Sequence, residues 1–356
     1  MTKRDPHLLL QAAPFLRRGI TTPGLMMDVL LGLAPLVLAA IYFFGLSAVL
    51  VLLTCTIGAV ATEWALSPAR PRGSSIKDGS AILTGIILGL CLPPAIPLWM
   101  AFLGGVAAIG LGKLMFGGLG QNLFNPALVG RAFLQAAFPT AITTWSQQGT
   151  ITEFWGLRLS SWYVPFTHWV PDWLRILLEG VFGPQVDVIS SATPLAFIKF
   201  GGEAAPFNNL LLGNTAGSLG ETCALLIIIC GIILAFRRTF DWRIPVSILL
   251  TVAAASGIVW LFNHDSPSPL YMLLSGGLLF GAVYMATDPV TSPIAPRGAW
   301  IFGIGVGLIV VLIRLWGGLP EGVMYAILLM NAATPLIDRI AQPRAFGRTI
   351  TGEVSA

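Results

Sequence analysis

The segment DVLLGLAPLVLAAIYFFGL, residues 28–46, decides the fold class of this chain. Its only charged residue, Asp28, stands at one end. A helix of about 20 apolar residues is long enough to cross the hydrocarbon core of a bilayer. Over all 356 residues only 10% are charged and 55% are hydrophobic, whereas soluble domains carry roughly 25% charged residues. The sequence therefore predicts an all-α, polytopic integral membrane protein.

Hydropathy predicts about ten transmembrane helices in two groups of five, residues 28–138 and residues 218–338. The ten spans lie near 28–46, 48–66, 80–95, 97–116, 121–138, 218–236, 244–262, 269–287, 298–316 and 322–338. Residues 139–217 separate the groups, and tails of residues 1–27 and 339–356 flank them. The first group begins inside and the second begins outside, so the two halves are predicted to be inverted repeats, which often meet at Gly- and Pro-broken helices.

The distribution of lysine and arginine predicts the orientation in the membrane. With a cytoplasmic N-terminus, only Arg158, Arg175 and Lys199 lie outside, and Arg131 and Arg314 fall within spans. The remaining fifteen of the 20 basic residues (20 − 3 − 2) then lie inside. Because cytoplasmic loops are enriched in Lys and Arg, both termini are predicted to be cytoplasmic in a bacterial inner membrane. The 139–217 segment is then periplasmic.

Composition also excludes several classes of function. The net charge of +4 is accounted for by topology, so no nucleic-acid partner is expected. The N-terminus lacks the apolar core and cleavage site of a removed signal peptide. The cysteines lie in apolar segments without a CxxC pair, and the histidines are far apart: Cys55, Cys91, Cys223, Cys230, His7, His168 and His264. No intrinsic metal or iron–sulfur site is expected, so any electrons must be carried by an organic cofactor.

The segment between the two groups ends in the polar stretch DVISSATPLAFIKF, residues 187–200. Thr193 before Pro194 is typical of a helix start, with Thr as the N-cap and Pro as the first helical residue. The spacing Asp187, Ser190, Ala192, Thr193 has the form D-x-x-S-x-A-T. That form resembles the acceptor motif for covalent flavin attachment, in which the phosphate of FMN is joined to the threonine hydroxyl. The two interpretations are compatible.

Two further stretches extend the resemblance to nearly the whole chain. GGLGQNLFNPALVGRAF (117–133) and MATDPVTSP (285–293) are similar to signatures of the D subunits of Rnf complexes. A related family is the B subunit of the sodium-pumping NADH:quinone oxidoreductase. Ser191 departs from the glycine that is more common in the attachment motif of these proteins, which leaves the efficiency of attachment open.

The resemblance implies a membrane electron-transfer subunit of an ion-translocating oxidoreductase complex. Rnf complexes pass electrons between ferredoxin and NAD and couple the transfer to Na⁺ or H⁺ movement. Their D subunit carries covalent FMN, attached by a flavin transferase, and works beside the A, B, C, E and G subunits. The chain itself lacks a G-x-G-x-x-G nicotinamide fingerprint and is not expected to catalyse the overall reaction alone.

The same resemblance implies a second, noncovalent flavin, riboflavin, beside the N-x-x-N-P segment. Asn122 and Asn125 lie three residues apart and would share one face of a helix, and Pro126 loosens that helix. The amides could bind a flavin ring or form interhelical hydrogen bonds. Arg131 could stabilise a reduced flavin or pair with a carboxylate such as Glu63.

Asp288, in MATDPVTSP, is a candidate for the ion path. Its carboxylate and the hydroxyls of Thr287 and Thr291 are oxygen ligands of the kind that hard cations prefer. A surface carboxylate or a helix cap is the alternative for Asp288. For the chain as a whole, the alternatives are a five-plus-five inverted-repeat channel or transporter for a small solute, and a scaffold subunit without a cofactor.

Overall fold

The computed structural model describes residues 21–67, 75–146, 190–191, 193–199, 206–213, 215–221, 223–264 and 266–342. The regular secondary structure of the described residues is helical apart from one pair of two-residue strands. The long helices are α1 (Thr22–Phe44), α2 (Leu46–Leu66), α3 (Ser80–Leu90), α4 (Leu98–Gly112) and α5 (Pro126–Ala137). A short helix α6 (Pro139–Thr143) leads to the first strand, β1 (Trp145–Ser146), which pairs antiparallel with β2 (Ser190–Ser191).

The second half of the chain begins with the short helices α7 (Pro194–Lys199) and α8 (Phe207–Leu212). These are followed by α9 (Ala224–Phe236), α10 (Arg243–Phe262), α11 (Pro269–Leu274), α12 (Leu278–Phe280), α13 (Pro296–Trp316) and α14 (Val323–Ala341). A single π-helical turn, Gly281–Met285, continues α12. It is closed by a hydrogen bond of 2.8 Å from the Ala286 backbone N–H to the Gly281 carbonyl.

Six helical stretches in the described residues are long and apolar enough to cross a membrane: Thr22–Phe44, Leu46–Leu66, Leu98–Phe116, Arg243–Phe262, Pro296–Trp316 and Val323–Ala341. Two shorter apolar helices, α3 and α9, accompany them. The predicted multi-pass membrane protein is therefore confirmed. A count of ten spans stays a prediction, as do the inverted repeat and the domain boundaries.

Two of the predicted spans are interrupted, each for a local reason. The span near 80–95 ends as a helix at Leu90, because Pro93 and Pro94 follow and proline cannot continue a helix. The span near 269–287 is broken at 275–277, between α11 and α12. Gly276 there has φ 65°, a left-handed conformation that glycine adopts without strain. Both breaks leave backbone polar groups and polar side chains inside the helix bundle.

Helices α2 and α4 pack so closely that their backbones touch, and glycine makes this approach possible. A Cβ on Gly105 would overlap the carbonyl oxygen of Cys55 and lie 2.9 Å from the backbone nitrogen of Ala59. Small residues allow this kind of close helix packing in membrane proteins. Gly110 on the same helix is different, because a Cβ there would meet only a methyl group of Thr62, at 3.9 Å.

We predict that Gly105→Ala lowers the free energy of unfolding by about 1–3 kcal/mol, the usual cost of overpacking. Gly110→Ala is the matched control. It should be neutral or stabilise by up to about 1 kcal/mol, because alanine is the better helix former. Thermal unfolding of both variants in detergent measures the difference. Equal midpoints for the two variants would contradict the close α2–α4 contact.

Candidate functional site

The structure describes two cavities that meet at α5 and the broken helix between Pro269 and Met285. The asparagine cavity, about 750 Å³ of empty space, is lined by residues that include Lys113, Asn122, Asn125, Tyr284, Thr287 and Asp288. The glutamate cavity, about 670 Å³, is lined by residues that include Arg131, Trp145, Glu221, Phe280, Met285 and Glu321. Both volumes include the open space at the mouths of the cavities.

Asn125 begins α5 and links it to the second half of the chain. Its Oδ1 accepts hydrogen bonds from the backbone N–H groups of Ala127 (3.0 Å) and Leu128 (3.4 Å), as expected of an N-cap asparagine. Its Nδ2 donates to the carbonyl of Met285 at 3.0 Å. Because both ends of the amide are engaged, Asn125 holds the wall between the two cavities. The interhelical hydrogen bond is therefore the interpretation that the structure supports for Asn125.

Asn122 presents the free polar group of the asparagine cavity. Its Nδ2 donates to the carbonyl of Phe124 at 3.3 Å. Its Oδ1 is buried without a hydrogen-bond partner among the described residues. A buried acceptor left unpaired costs about 1–3 kcal/mol, so this oxygen is placed to accept a hydrogen bond from a bound ligand.

Asp288 lies at the edge of the asparagine cavity, in the turn between the π-helical segment and α13. Its carboxylate accepts hydrogen bonds from the backbone N–H of Val290 (3.4 Å) and the hydroxyl of Thr291 (3.2 Å). The residue is half-buried. Burial of its carboxyl raises the pKa of Asp288 to about 6, and the two hydrogen bonds oppose that rise. The predicted partner Thr287 instead donates to the carbonyl of Val283.

Lys113 is a buried cation at the asparagine cavity whose charge is fully matched. Its Nζ donates to both carboxylate oxygens of Glu63, at 2.7 and 2.8 Å, and to the hydroxyl of Ser80 at 2.7 Å. The side chains of Lys113 and Glu63 are 3% and 0% exposed. Glu63 is thus the partner of Lys113, and the pairing with Arg131 that the sequence suggested is wrong.

Arg131 lies in the glutamate cavity between two carboxylates. Its Nη2 donates to Glu321 Oε2 at 3.0 Å, whereas its Nη1 is 3.7 Å from Glu221 Oε1. The first distance is a charge-assisted hydrogen bond and the second is too long for one. The second carboxylate oxygen of Glu321 is buried without a partner among the described residues. Arg131 does pair with acids, as one of the two sequence interpretations proposed, but it is separated from the Asn122 site.

A second arginine, Arg314, stands next to this cluster and holds the broken helix in place. Its Nη1 and Nη2 donate to the carbonyls of Met272 and Ser275, the last at 3.0 Å. Gly276 and Gly277 then pass directly between the charged groups. A Cβ on Gly276 would lie 3.3 Å from Arg314 Nη2, and a Cβ on Gly277 would overlap the Glu221 carboxylate. The backbone at these glycines therefore lies close to the charged groups, and at Gly276 the left-handed φ of 65° also favours glycine.

Thr193 is placed as the sequence predicted, at the N-cap of α7. Its Oγ1 accepts a hydrogen bond from the Ala196 backbone N–H at 3.2 Å, and the residue is 1% exposed. Ser191, two residues earlier, pairs with Trp145, which lines the glutamate cavity. The motif residues Asp187 and Ala192 lie outside the described residues, and Ser190 is described only by its backbone pairing with Ser146.

Lys199, at the other end of α7, binds carbonyl groups. Its Nζ donates to the carbonyls of Ile313, Gly317 and Leu319 at 3.3, 2.5 and 2.9 Å. Partial burial lowers the pKa of its ammonium group. Lys199 therefore attaches α7 to the loop that precedes Glu321.

Sequence reasoning missed Glu221, Glu321 and the role of Lys113. Both glutamates stand in short Gly-containing loops, LGET and LPEG, directly before α9 and α14. A carboxylate next to a span of apolar residues is costly unless it has a buried partner. That signal, combined with the two arginines within predicted spans, could have identified the cluster.

The fold defines a multi-pass, helical membrane protein with two cavities that contain buried charged and amide side chains beside interrupted helices. The chain belongs to the NQR2, RnfD, RnfE family, whose model matches residues 9–347. The family resemblance found in the sequence is therefore confirmed.

Individual relatives cover almost the full length of the chain. It is 42% identical to the D subunit of an ion-translocating oxidoreductase complex of Stutzerimonas stutzeri, over 92% of this chain and 93% of the relative. It is 38% identical to the D subunit of a proton-translocating ferredoxin:NAD(+) oxidoreductase complex of Clostridium ljungdahlii, over 95% and 96%. It is 36% identical to the Na(+)-translocating counterpart of Acetobacterium woodii, over 96% of both chains.

We predict that Lys113→Met lowers the free energy of unfolding by about 3–5 kcal/mol, because it leaves the buried Glu63 carboxylate without a counter-charge. The double variant Glu63→Met/Lys113→Met should recover most of that loss. Arg243→Met is the control, since its pair with Asp241 is about one-third exposed and should contribute less than about 1 kcal/mol. Unfolding midpoints in detergent measure all three. A double variant as unstable as Lys113→Met would refute the ion-pair account.

Proposed function

We propose that this chain is the flavin-carrying membrane subunit of an Rnf-type complex, which couples electron transfer between ferredoxin and NAD to the translocation of Na⁺ or H⁺. The observation that carries the proposal is Thr193, a threonine in a D-x-x-S-x-A-T motif that caps α7, two residues after the strand that pairs with Trp145 of the glutamate cavity. The names of the relatives, all complex subunits, support it. The other complex subunits and a flavin transferase are the expected partners.

The covalent group is proposed to be FMN, bound through its phosphate to Thr193 Oγ1. The Thr193 hydroxyl is the group that such an ester requires, and two contacts hold the helix that begins at this residue, one of them to a residue of the glutamate cavity. Tyr271 donates its hydroxyl to the Pro194 carbonyl at 2.9 Å, and Lys199 binds the carbonyl of Leu319, which lines the cavity. A flavin would supply one- and two-electron chemistry there, and Arg131 would supply positive charge.

A second flavin, noncovalent riboflavin, is proposed for the asparagine cavity. The buried, unpaired Oδ1 of Asn122 fits a ligand with an N–H donor, such as the ring edge of a flavin. Asn125 and Pro126 shape the wall, and Arg131 belongs to the other site. Asp288 is proposed as a transient binding site for the translocated cation at the edge of the same cavity. Its carboxylate and the hydroxyl of Thr291 provide oxygen ligands there.

Ten spans in two inverted halves, with cytoplasmic termini and a periplasmic 139–217 segment, are part of the proposal. Lys113 and Arg314 support the inverted repeat. Both residues lie near the end of a long helix, just before a GGL sequence. Each of them also binds the start of a broken or short helix in its own half of the chain. Lys113 contacts Ser80 at the start of α3, and Arg314 contacts the Ser275 carbonyl before α12.

We predict that the wild-type band near 37.8 kDa fluoresces under ultraviolet light on a denaturing gel when a flavin transferase is co-expressed. Thr193→Asn should abolish the fluorescence while keeping the protein folded, because asparagine preserves the N-cap but has no hydroxyl. Thr54→Val is the control, since that hydroxyl binds a carbonyl of its own helix and lies outside both cavities. A dark wild-type band would rule out covalent attachment. Fluorescence that survives in Thr193→Asn would place the attachment elsewhere.

We predict that Asp288→Asn slows ion-coupled turnover at least severalfold while the content of covalent flavin stays normal. Coupled activity of the wild type should also fall as the pH drops through about 6, because the carboxyl then binds a proton and loses its charge. Ion uptake into vesicles that contain the complex measures both effects. Asp241→Asn, in a surface ion pair, is the control. Unchanged coupling in Asp288→Asn would remove this residue from the path.

A further inference from the structure

The charged cluster in the glutamate cavity is built asymmetrically. Arg131 binds Glu321 through a hydrogen bond of 3.0 Å but faces Glu221 at 3.7 Å. The exposed fractions of the Arg131, Glu321 and Glu221 side chains are only 11%, 15% and 5%. The guanidinium thus holds one carboxylate by a hydrogen bond and the other by charge attraction. In a buried setting such a loosely held carboxylate is the group that accepts a proton most readily.

The charges around this cluster balance only while nothing negative enters the cavity. The groups that face Glu221 and Glu321 are Arg131 from α5, Arg314 from α13 and the Cys91 thiol after α3. With both arginines and both carboxylates ionised and the thiol neutral, the sum is zero. An added negative charge would compete with the carboxylates for Arg131. Like charges close together disfavour each other's ionised form, so the added charge would drive one carboxylate to bind a proton.

The glycines of the broken helix keep the two carboxylates in this arrangement. Gly277 touches the Glu221 carboxylate and Gly276 lies against Glu321 Cγ and Arg314. Any larger side chain at 277 would displace Glu221 from Arg131. The unwound segment 275–277 therefore serves as the support of the charged cluster as well as a break in the span.

We propose that Glu221 and Glu321 form a proton-accepting pair beside Arg131, which takes up one proton when a redox group in the glutamate cavity gains negative charge. The proton is held on the Glu221 carboxyl oxygen that does not face Arg131 and is drawn from water, while the electrons come from a neighbouring redox subunit or, in the test, from dithionite. The proposal rests on the proposed function, because a flavin at Thr193 is the redox group. It makes the cavity a site of redox-linked proton binding.

The test is a redox titration of the full-length chain, co-expressed with a flavin transferase, at several pH values. Each proton bound per two electrons changes the electron affinity tenfold per pH unit, which is about 30 mV for a two-electron couple. The midpoint potential of the covalent flavin should therefore depend less steeply on pH in Glu221→Gln than in the wild type, by about 30 mV per pH unit. Glu321→Gln should show the same reduction, and it replaces Glu221→Gln if that variant does not accumulate. Asp241→Asn should keep the wild-type slope.

A second readout does not depend on the flavin. Infrared difference spectra between high and low pH should show a protonated-carboxyl band in the wild type and also in Thr193→Asn. The band should disappear when Glu221→Gln is introduced into either protein. The wild type and both glutamine variants could be fluorescent and share the same infrared band and the same pH dependence of the midpoint potential. That result would overturn the proton-accepting pair and leave the proposed function intact. A dark chain that still shows the Glu221 band would overturn the flavin proposal and leave the pair standing.

Discussion

The cost of a charge inside a membrane protein is the constraint on which the rest of this structure depends. A buried charge needs a partner of opposite charge or several hydrogen bonds, and each of the three buried basic side chains in the described residues meets that need differently. Lys113 is enclosed by Glu63 and Ser80, Arg314 by two backbone carbonyls, and Arg131 by two glutamates. Arg314 in particular needs a broken helix, because free carbonyls are available where a helix is interrupted.

The breaks in turn create the cavities. At 275–277 the interrupted helix offers carbonyls to Arg314 and space to the Glu221 carboxylate. At Met285 the π-helical turn leaves a carbonyl for Asn125, which closes the wall between the cavities. Single π-helical turns are frequent at functional sites, and here the turn has a defined mechanical role. Irregular backbone is tolerated at membrane depth where it lines a protein cavity, which is the situation of both breaks.

Part of this arrangement could be predicted from the sequence. The membrane class followed from composition, and the N-cap role of Thr193 followed from a Thr-Pro pair before an apolar helix. The partners of the buried charges did not follow. Arg131 and Glu321 are 190 residues apart, and periodicity contains no information on contacts between helices so distant in the chain. Asn122 and Asn125 were predicted to act as a pair, but the proline after Asn125 makes it an N-cap, so the two amides serve different purposes.

The two cavities are suited to different kinds of ligand because their charges differ in freedom. In the asparagine cavity the ammonium of Lys113 is saturated by three hydrogen bonds, so the buried, unpaired atom left for a neutral ligand is the Asn122 oxygen, and the Asp288 carboxylate lies at the edge. In the glutamate cavity Arg131 holds one of its two carboxylates without a hydrogen bond. Its guanidinium can therefore interact with a third negative group without first breaking a hydrogen bond to that carboxylate. A cofactor whose charge changes during turnover is stabilised by the second environment. The first favours a ring recognised by hydrogen bonds and shape.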